Sequence, residues 1–298
     1  MEITSLKKTK ITHSSEFPLL DFTEAEMIEA WHQFPDDPSC YKLESEFCLN
    51  SRCGEGFTNF PNIGGNFHTR PKLIHDEEEV FIEANWITDR LIATGYPTAG
   101  KMRDHYWYMV HSLLQEKKNV FIINFMHQDD INPYGGWFFP TKDSPTIEVK
   151  VKSWGRKISF ISKEQKEGWE RQTHTMDDLP FSLFHYPTWK DHGMGEEEIV
   201  IALLKELYES MQKAPNAVAI LGCRAGVGRT GTFTVLFYFY SLLQEKKTLC
   251  KEDFDLKAIQ RKIIEYREAR GDVQFVQTSK QFMMLCRVVQ RLYNEAIS

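Results

Sequence analysis

A cysteine and an arginine six positions apart are the residues of this sequence best suited to do chemistry. They lie in Gly222-Cys223-Arg224-Ala225-Gly226-Val227-Gly228-Arg229-Thr230-Gly231, with apolar stretches at 217–221 and 233–243 on either side. This pattern predicts a strand, a tight loop and a buried helix. Such a loop gathers backbone N–H groups and a helix N-terminus around one point, which suits a phosphate group.

The residue types in the loop indicate covalent catalysis. The field that binds phosphate also favours a thiolate at Cys223, and a thiolate is a strong nucleophile. Arg229 could hold two phosphate oxygens with its planar guanidinium. Thr230 could hydrogen-bond the sulfur as it leaves, or it could only cap the next helix. The residues expected to surround the phosphate are Arg224, Ala225, Gly226, Val227 and Gly228. We therefore predict a phosphate-ester hydrolase that works through a phosphocysteine and needs no metal and no organic cofactor.

Several segments together resemble the protein tyrosine phosphatase family. The loop is similar to its consensus His-Cys-x-x-Gly-x-x-Arg-Ser/Thr-Gly. Further blocks that resemble the family, in the family's order, are 81–87, 96–97, 104–110, 120–124, 186–193 and 276–282. The resemblance runs from about residue 60 to the C-terminus.

The resemblance implies roles for residues outside the loop. Asp191 would be the general acid that protonates the leaving phenolate and later the base toward water. Trp189 would hinge the acid loop against the core. Gln277 would orient the hydrolytic water, with Gln281 beside it. Phe67 would take the place of the aromatic ring that flanks phosphotyrosine in the family.

Some positions depart from the family pattern, and for some functional roles more than one residue is a candidate. Gly222 stands where the family has a histidine before the cysteine, and Lys190 stands where the acid loop has a proline. We expect these changes to slow the enzyme or alter loop closure. His68 and Arg70 could instead serve a more heavily phosphorylated substrate. The carboxylate or amide that supports Arg229 could come from Gln128, Asp129 or Asp130.

Three functions remain open at this point. The first is a tyrosine phosphatase acting on a phosphotyrosine protein. The second is a phosphatase of the same fold for a phosphoinositide or another phosphomonoester. The third is a pseudophosphatase that binds phosphate with weak or no activity.

Composition and charge narrow the class and the partners. The chain has 298 residues, of which 42% are hydrophobic and 26% charged, and its formal net charge is -6. An acidic chain is not expected to bind nucleic acid, and no apolar stretch is long enough to span a membrane. The cysteines show no Cys-x-x-Cys pair and no metal-binding spacing, so we expect the reducing cytoplasm. We also expect a monomer. The loop sequence Cys-Arg-Ala-Gly-Val-Gly-Arg-Thr resembles that of bacterial secreted effector phosphatases, which would place the protein in a host cytosol.

The order of predicted elements indicates an α/β fold with a twisted mixed β-sheet flanked by helices on both faces, like a protein tyrosine phosphatase. We expect an N-terminal extension over 1–55, with one or two helices packed on a catalytic domain over 56–298. Thr23 and Glu26 predict a capping box for the first helix, which Pro35 would end. The predicted strands include 80–87, 120–125, 147–151, 157–161 and 181–186. The predicted helices include 196–213, 230–244, 253–267 and 278–292.

Overall fold

The computed structural model describes residues 18–35, 63–98, 100–133, 136–151, 153–246 and 248–298. The helices are α1 (Glu24–His32), α2 (Lys101–Gln115), α3 (Gln128–Ile131), α4 (Glu197–Lys213), α5 (Gly228–Glu245), α6 (Leu256–Arg270) and α7 (Ser279–Ile297). The strands are β1 (Ile74–His75), β2 (Glu78–Glu79), β3 (Ala84–Trp86), β4 (Leu91–Gly95), β5 (Asn119–Asn124), β6 (Thr146–Val151), β7 (Trp154–Gln165), β8 (Glu170–Met176), β9 (Leu179–His185) and β10 (Ala217–Cys223). A 3-10 turn, Lys251–Asp253, precedes α6.

The main sheet has the strand order β3-β4-β10-β5-β9-β8-β7-β6. Its centre is parallel, because β10 pairs in parallel with both β4 and β5, and β5 pairs in parallel with β9. The strands β3, β8, β7 and β6 join their neighbours antiparallel. The parallel centre places the carboxyl ends of β4, β10, β5 and β9 at one edge, where ligands bind in α/β proteins.

Both faces of the sheet are covered, so the central strands are almost wholly apolar. Ala219 and Leu221 of β10 belong to a core that includes the buried faces of α1, α4, α5, α6 and α7. Val218 and Ile220 point the other way, into a second core built with α2. This alternation confirms the predicted fold class, a mixed sheet with helices on both faces.

The antiparallel wing differs most from the predicted elements. The strand predicted at 157–161 extends to twelve residues in β7, and β8 was not predicted. The sequence of β8, Glu-Arg-Gln-Thr-His-Thr-Met, is polar, yet Gln172, His174 and Met176 are buried on alternate positions. A strand whose inward residues are themselves polar has no apolar alternation to reveal it.

The first helix begins as predicted. The Thr23 side chain accepts from the Glu26 amide at 3.2 Å, and the Glu26 carboxylate accepts from the Thr23 amide at 2.9 Å. The helix ends at His32, three residues before Pro35, and its Ile28 side chain is exposed. The predicted domain boundary at 55/56 and the thiols of Cys40, Cys48 and Cys53 lie outside the described residues.

Within the described ranges, no helix is long and apolar enough to cross a bilayer.

Candidate active site

The cysteine loop joins β10 to α5 at the carboxyl edge of the parallel strands. Cys223 ends β10 in register with Gly95 of β4, and its side chain is buried. Gly226 has a φ of +70°, and a Cβ there would lie 2.4 Å from the carbonyl oxygen of Thr94. Only glycine fits this close approach without strain, so the loop conformation follows from its sequence.

A pocket of about 210 Å3 opens above the loop. The residues that line it are Ile63, Asp191, His192, Cys223, Arg224, Ala225, Val227, Gly228, Gln274 and Gln277. The predicted nucleophile, the predicted acid and the predicted water-positioning glutamine therefore face one space, although they come from three distant parts of the chain.

Arg229 is fully buried beneath this pocket and is held on two sides. One terminal nitrogen donates to the carbonyl oxygens of Phe125 and Trp189, both at 2.8 Å. The other donates to Asp130 and to Asp191, both at 3.1 Å. Its Nε has no hydrogen-bond partner among the described residues. Two carboxylates compensate the buried charge of the guanidinium.

Asp191 also accepts a hydrogen bond from a second arginine, Arg224. Its Oδ2 accepts from Arg224 at 3.1 Å, while its Oδ1 accepts from Arg229. The ring of His192 lies 3.7 Å from the same carboxylate. The acid loop is thus drawn toward the cysteine loop by two guanidinium groups.

Trp189 anchors the acid loop in the core. Its ring is buried against Phe125 and Tyr186, with centroid separations of 5.5 and 5.8 Å, and its Nε1 donates to the carbonyl oxygen of Gly193 at 2.9 Å. A fixed tryptophan at one end and the arginine contacts at Asp191 define the position of the carboxyl group.

The two glutamines sit over the start of α5. The backbone amide of Gln277 donates to Gln281 Oε1 at 2.9 Å, and the Gln277 side chain donates to Gln274 at 3.0 Å. A Cβ at Gly228 would lie 2.9 Å from Gln277 Oε1, so this glycine lets the glutamine approach the loop. Gln281 is buried, and its side-chain nitrogen lacks a hydrogen-bond partner in the described part of the chain.

Comparison with known proteins decides the family. The model of the protein-tyrosine phosphatase domain matches residues 60–291. The chain belongs to the protein-tyrosine phosphatase family. The match covers the cysteine loop, the acid loop and the glutamine loop, and it leaves out the first helix.

Individual phosphatases in the family are distant relatives. The human tyrosine-protein phosphatase non-receptor type 2 is 25% identical over 213 residues, which cover 67% of this chain and 48% of that protein. The human receptor-type tyrosine-protein phosphatase H is 25% identical over 239 residues, covering 76% of this chain and 20% of that protein. The chain thus spans about half or less of the curated relatives that it matches.

A solved phosphatase shares the fold. The structure described as PTPN18 in complex with HER2-pY1196 phosphor-peptides superposes with a TM-score of 0.74 at 17% sequence identity. The superposition covers 91% of this chain and 94% of that one.

Six predicted site residues of this phosphatase are absent from the pocket lining of the described residues: Phe67, Trp189, Gly226, Arg229, Thr230 and Gln281. Arg229 reaches the lining through its contact with Asp191, and Gln281 through its contact with Gln277. The Phe67 side chain is 41% exposed and is not part of the pocket lining of the described residues. Its ring centroid lies 5.6 Å from Cζ of Arg70. Thr230 Oγ1 is buried and makes no hydrogen bond within the described residues. The proposed roles of Phe67 at the substrate ring and Thr230 at the sulfur remain predictions.

The sequence analysis did not identify Arg270, a buried arginine that hydrogen-bonds the backbone of the cysteine loop. Arg270 Nε donates to the carbonyl oxygen of Gly226 at 3.3 Å, and another of its nitrogens donates to Asn85 Oδ1 at 2.5 Å. Asp272, whose pKa is raised by burial, accepts from the amide of Gly64 at 2.7 Å. Asn85 lies in one of the family-like blocks, so that block was the available signal.

Proposed function

We propose that this phosphatase hydrolyses phosphotyrosine in proteins through a phosphocysteine intermediate. The observation that carries the proposal is the pocket itself. The thiol of Cys223 and the carboxyl group of Asp191 line it together, and the buried guanidinium of Arg229 contacts that carboxyl group. A nucleophile, a proton donor and a cation at one point are the requirements of phosphoryl transfer to a cysteine.

In the first step the thiolate sulfur attacks phosphorus, and the bond between phosphorus and the tyrosyl oxygen breaks. The electron pair stays on that oxygen, and Asp191 delivers the proton that makes it a neutral phenol. Arg229 and the loop amides hold the equatorial oxygens as their charge redistributes.

In the second step water attacks the phosphorus of the phosphocysteine, and the S–P bond breaks with its electron pair returning to sulfur. The Asp191 carboxylate takes the proton from the water, which restores the acid for the next cycle. Gln277 orients the water. The products are inorganic phosphate and the Cys223 thiolate, so the step balances without any other reactant.

The pocket lining favours phosphotyrosine over a phosphoinositide. A polyphosphorylated headgroup calls for several basic side chains, but the described lining has one arginine and one histidine, beside an aspartate, two glutamines and Ile63. A solved structure of the same fold is described with phosphopeptides, which agrees with a phosphotyrosine substrate.

We also propose that the protein acts as a monomer in the cytoplasm. A thiolate nucleophile requires reducing surroundings, because oxidation of the sulfur would stop the cycle. The proposal that it acts in a host cytosol, as a bacterial effector, rests only on the resemblance of the loop sequence.

Turnover by purified protein tests the function. The wild type and Cys223→Ser would be compared on a phosphotyrosine peptide and on a phosphatidylinositol phosphate, with release of inorganic phosphate as the readout. Cys250→Ser is the matched control, because this thiol is exposed and lies outside the pocket. We expect peptide turnover in the wild type and the Cys250 variant, and none in the Cys223 variant.

The other outcomes are equally informative. Faster release from the lipid than from the peptide would replace the protein substrate by a phosphoinositide. Phosphopeptide binding without turnover in the wild type would establish a pseudophosphatase. Undiminished turnover in Cys223→Ser would contradict the phosphocysteine mechanism.

A further inference from the structure

The first helix and the residue after its closing turn place two aromatic rings against a buried arginine. The guanidinium of Arg267 lies 4.5 Å from the centroid of the Phe34 ring and 6.0 Å from that of Trp31. Phe34 directly follows the turn that ends α1, and Trp31 lies in its last turn. Arg267 belongs to α6 and is buried. Contact with aromatic faces stabilises a desolvated guanidinium and restricts its orientation.

Arg267 in turn holds the backbone just before Gln277. Its Nε donates to the carbonyl oxygen of Phe275 at 3.1 Å, and a terminal nitrogen donates to the carbonyl oxygen of Val276 at 3.3 Å. Val276 has a φ of +64°, which a β-branched residue adopts only under constraint. Its amide also donates to the carbonyl oxygen of Val227 in the cysteine loop at 3.4 Å. The strained peptide therefore fixes the direction in which the chain enters Gln277.

A second set of contacts reaches the same place. The rings of Phe34 and Trp31 pack on Phe282 with centroid separations of 5.6 and 5.7 Å. Phe282 follows Gln281, whose side chain accepts from the amide of Gln277. The first helix thus contacts both supports of the glutamine, the arginine beneath it and the start of α7 beside it.

We propose that the first helix is a positioning element for the second chemical step, hydrolysis of the phosphocysteine. The inference rests on the proposed function, in which Gln277 orients the attacking water. Transfer of the phosphoryl group to Cys223 depends on the cysteine loop and Asp191. Among the described hydrogen bonds, the peptide that Arg267 holds meets the cysteine loop through the long 3.4 Å bond from Val276 to Val227, whereas it leads directly into Gln277. A loosened glutamine loop should therefore slow hydrolysis while leaving phosphocysteine formation intact.

Phe34→Leu tests the proposal while keeping an apolar side chain in the core. Stopped-flow measurement of 4-nitrophenol release from 4-nitrophenyl phosphate gives the two rate constants separately, as a burst and a steady rate. We expect phosphocysteine hydrolysis to fall about tenfold, since a small misplacement of a positioning group costs up to about a hundredfold. Formation should stay within about twofold. Trp31→Leu, at a less buried ring, should show the same selectivity with a smaller loss.

Met27→Leu is the matched control, because Met27 is buried in the same helix and has no ring on Arg267. It should leave both rate constants unchanged. Equal losses in both steps, no loss in either leucine variant of the aromatic residues, or the same loss in Met27→Leu would overturn the proposal. Failure of the proposed function would look different, because the wild type would then show no Cys223-dependent turnover at all.

Discussion

Replacement of Arg224 should impair the delivery of the proton rather than the binding of phosphate. Arg224→Gln removes the hydrogen bond to Asp191 Oδ2 but leaves the contact of Asp191 with Arg229. The acid loop would then be drawn over the pocket by one arginine instead of two. We expect the fraction of molecules with Asp191 in place to fall.

The size of the effect follows from the exposure of the pair. The Arg224 and Asp191 side chains are 34% and 23% exposed, so the pair lies between a surface ion pair and a buried one. An exposed pair contributes up to about 1 kcal/mol, and a hydrogen bond between charged groups about 1.5–3 kcal/mol. After discounting for solvent screening we expect about 1 kcal/mol, which corresponds to roughly fivefold in kcat/KM.

Two substrates with different leaving groups provide the assay. Phenolate leaves poorly without a proton, whereas 4-nitrophenolate leaves more readily, so a misplaced acid should affect phenyl phosphate more. We expect Arg224→Gln to lower kcat/KM about fivefold for phenyl phosphate and less for 4-nitrophenyl phosphate. Arg224→Lys should recover part of the loss, since it restores the charge without the planar fork.

The control removes a similar pair elsewhere. Arg171 contacts Glu206 at 3.0 Å, both side chains are 31% exposed, and neither lines the pocket. Arg171→Gln should change neither substrate's kcat/KM. An equal loss for both substrates in Arg224→Gln would refute the reasoning and return Arg224 to the simpler role of binding phosphate.

Two further predictions concern the loop and the core. Gly226→Ala should lower the free energy of unfolding by at least about 1–2 kcal/mol, because alanine disfavours the left-handed conformation and its Cβ would meet the Thr94 carbonyl group. It should also lower kcat/KM about a hundredfold, since the loop must shift; denaturant titration and steady-state kinetics measure both effects. Burial lowers the pKa of His174 to about 4, so the native state keeps it neutral while the unfolded chain takes up a proton below about 6.5. Stability should therefore fall with decreasing pH between these values, and His174→Gln should lose about 2 kcal/mol less than the wild type between pH 7 and 5 in urea titrations.

The sequence was most informative where a function depends on neighbouring residues. The strand, the loop and the helix around Cys223 occupy one contiguous stretch, so the spacing of the glycines, the cysteine and Arg229 alone was enough to predict their roles. The strands β5, β9 and β10 of the parallel centre were predicted within a few residues, because β5 and β10 are apolar on both faces, whereas β4 was not among the predicted strands. The polar strand β8 escaped prediction for the opposite reason.

For other parts of the candidate site, the sequence reduced the number of candidate residues but did not identify a single one. Three residues were candidates for the support of Arg229, and the short helix α3 brings Asp130 to it. The resemblance suggested Asp191 and Gln277, and the fold brings both to the pocket. The role of Phe67 stays a prediction, because its side chain is exposed and outside the described pocket lining.

The sequence by itself therefore determined the family and the class of fold, and it located the cysteine loop for which we propose the chemistry. Only the tertiary structure decided which distant groups come into contact at and around that loop. Arg224 hydrogen-bonds Asp191, Arg270 donates to the carbonyl oxygen of Gly226, and the Phe34 ring after the first helix packs on Arg267. These contacts join residues far apart in the chain. The physical reason is that local periodicity reports which face of an element is buried, whereas the packing of all elements decides which partner that face meets.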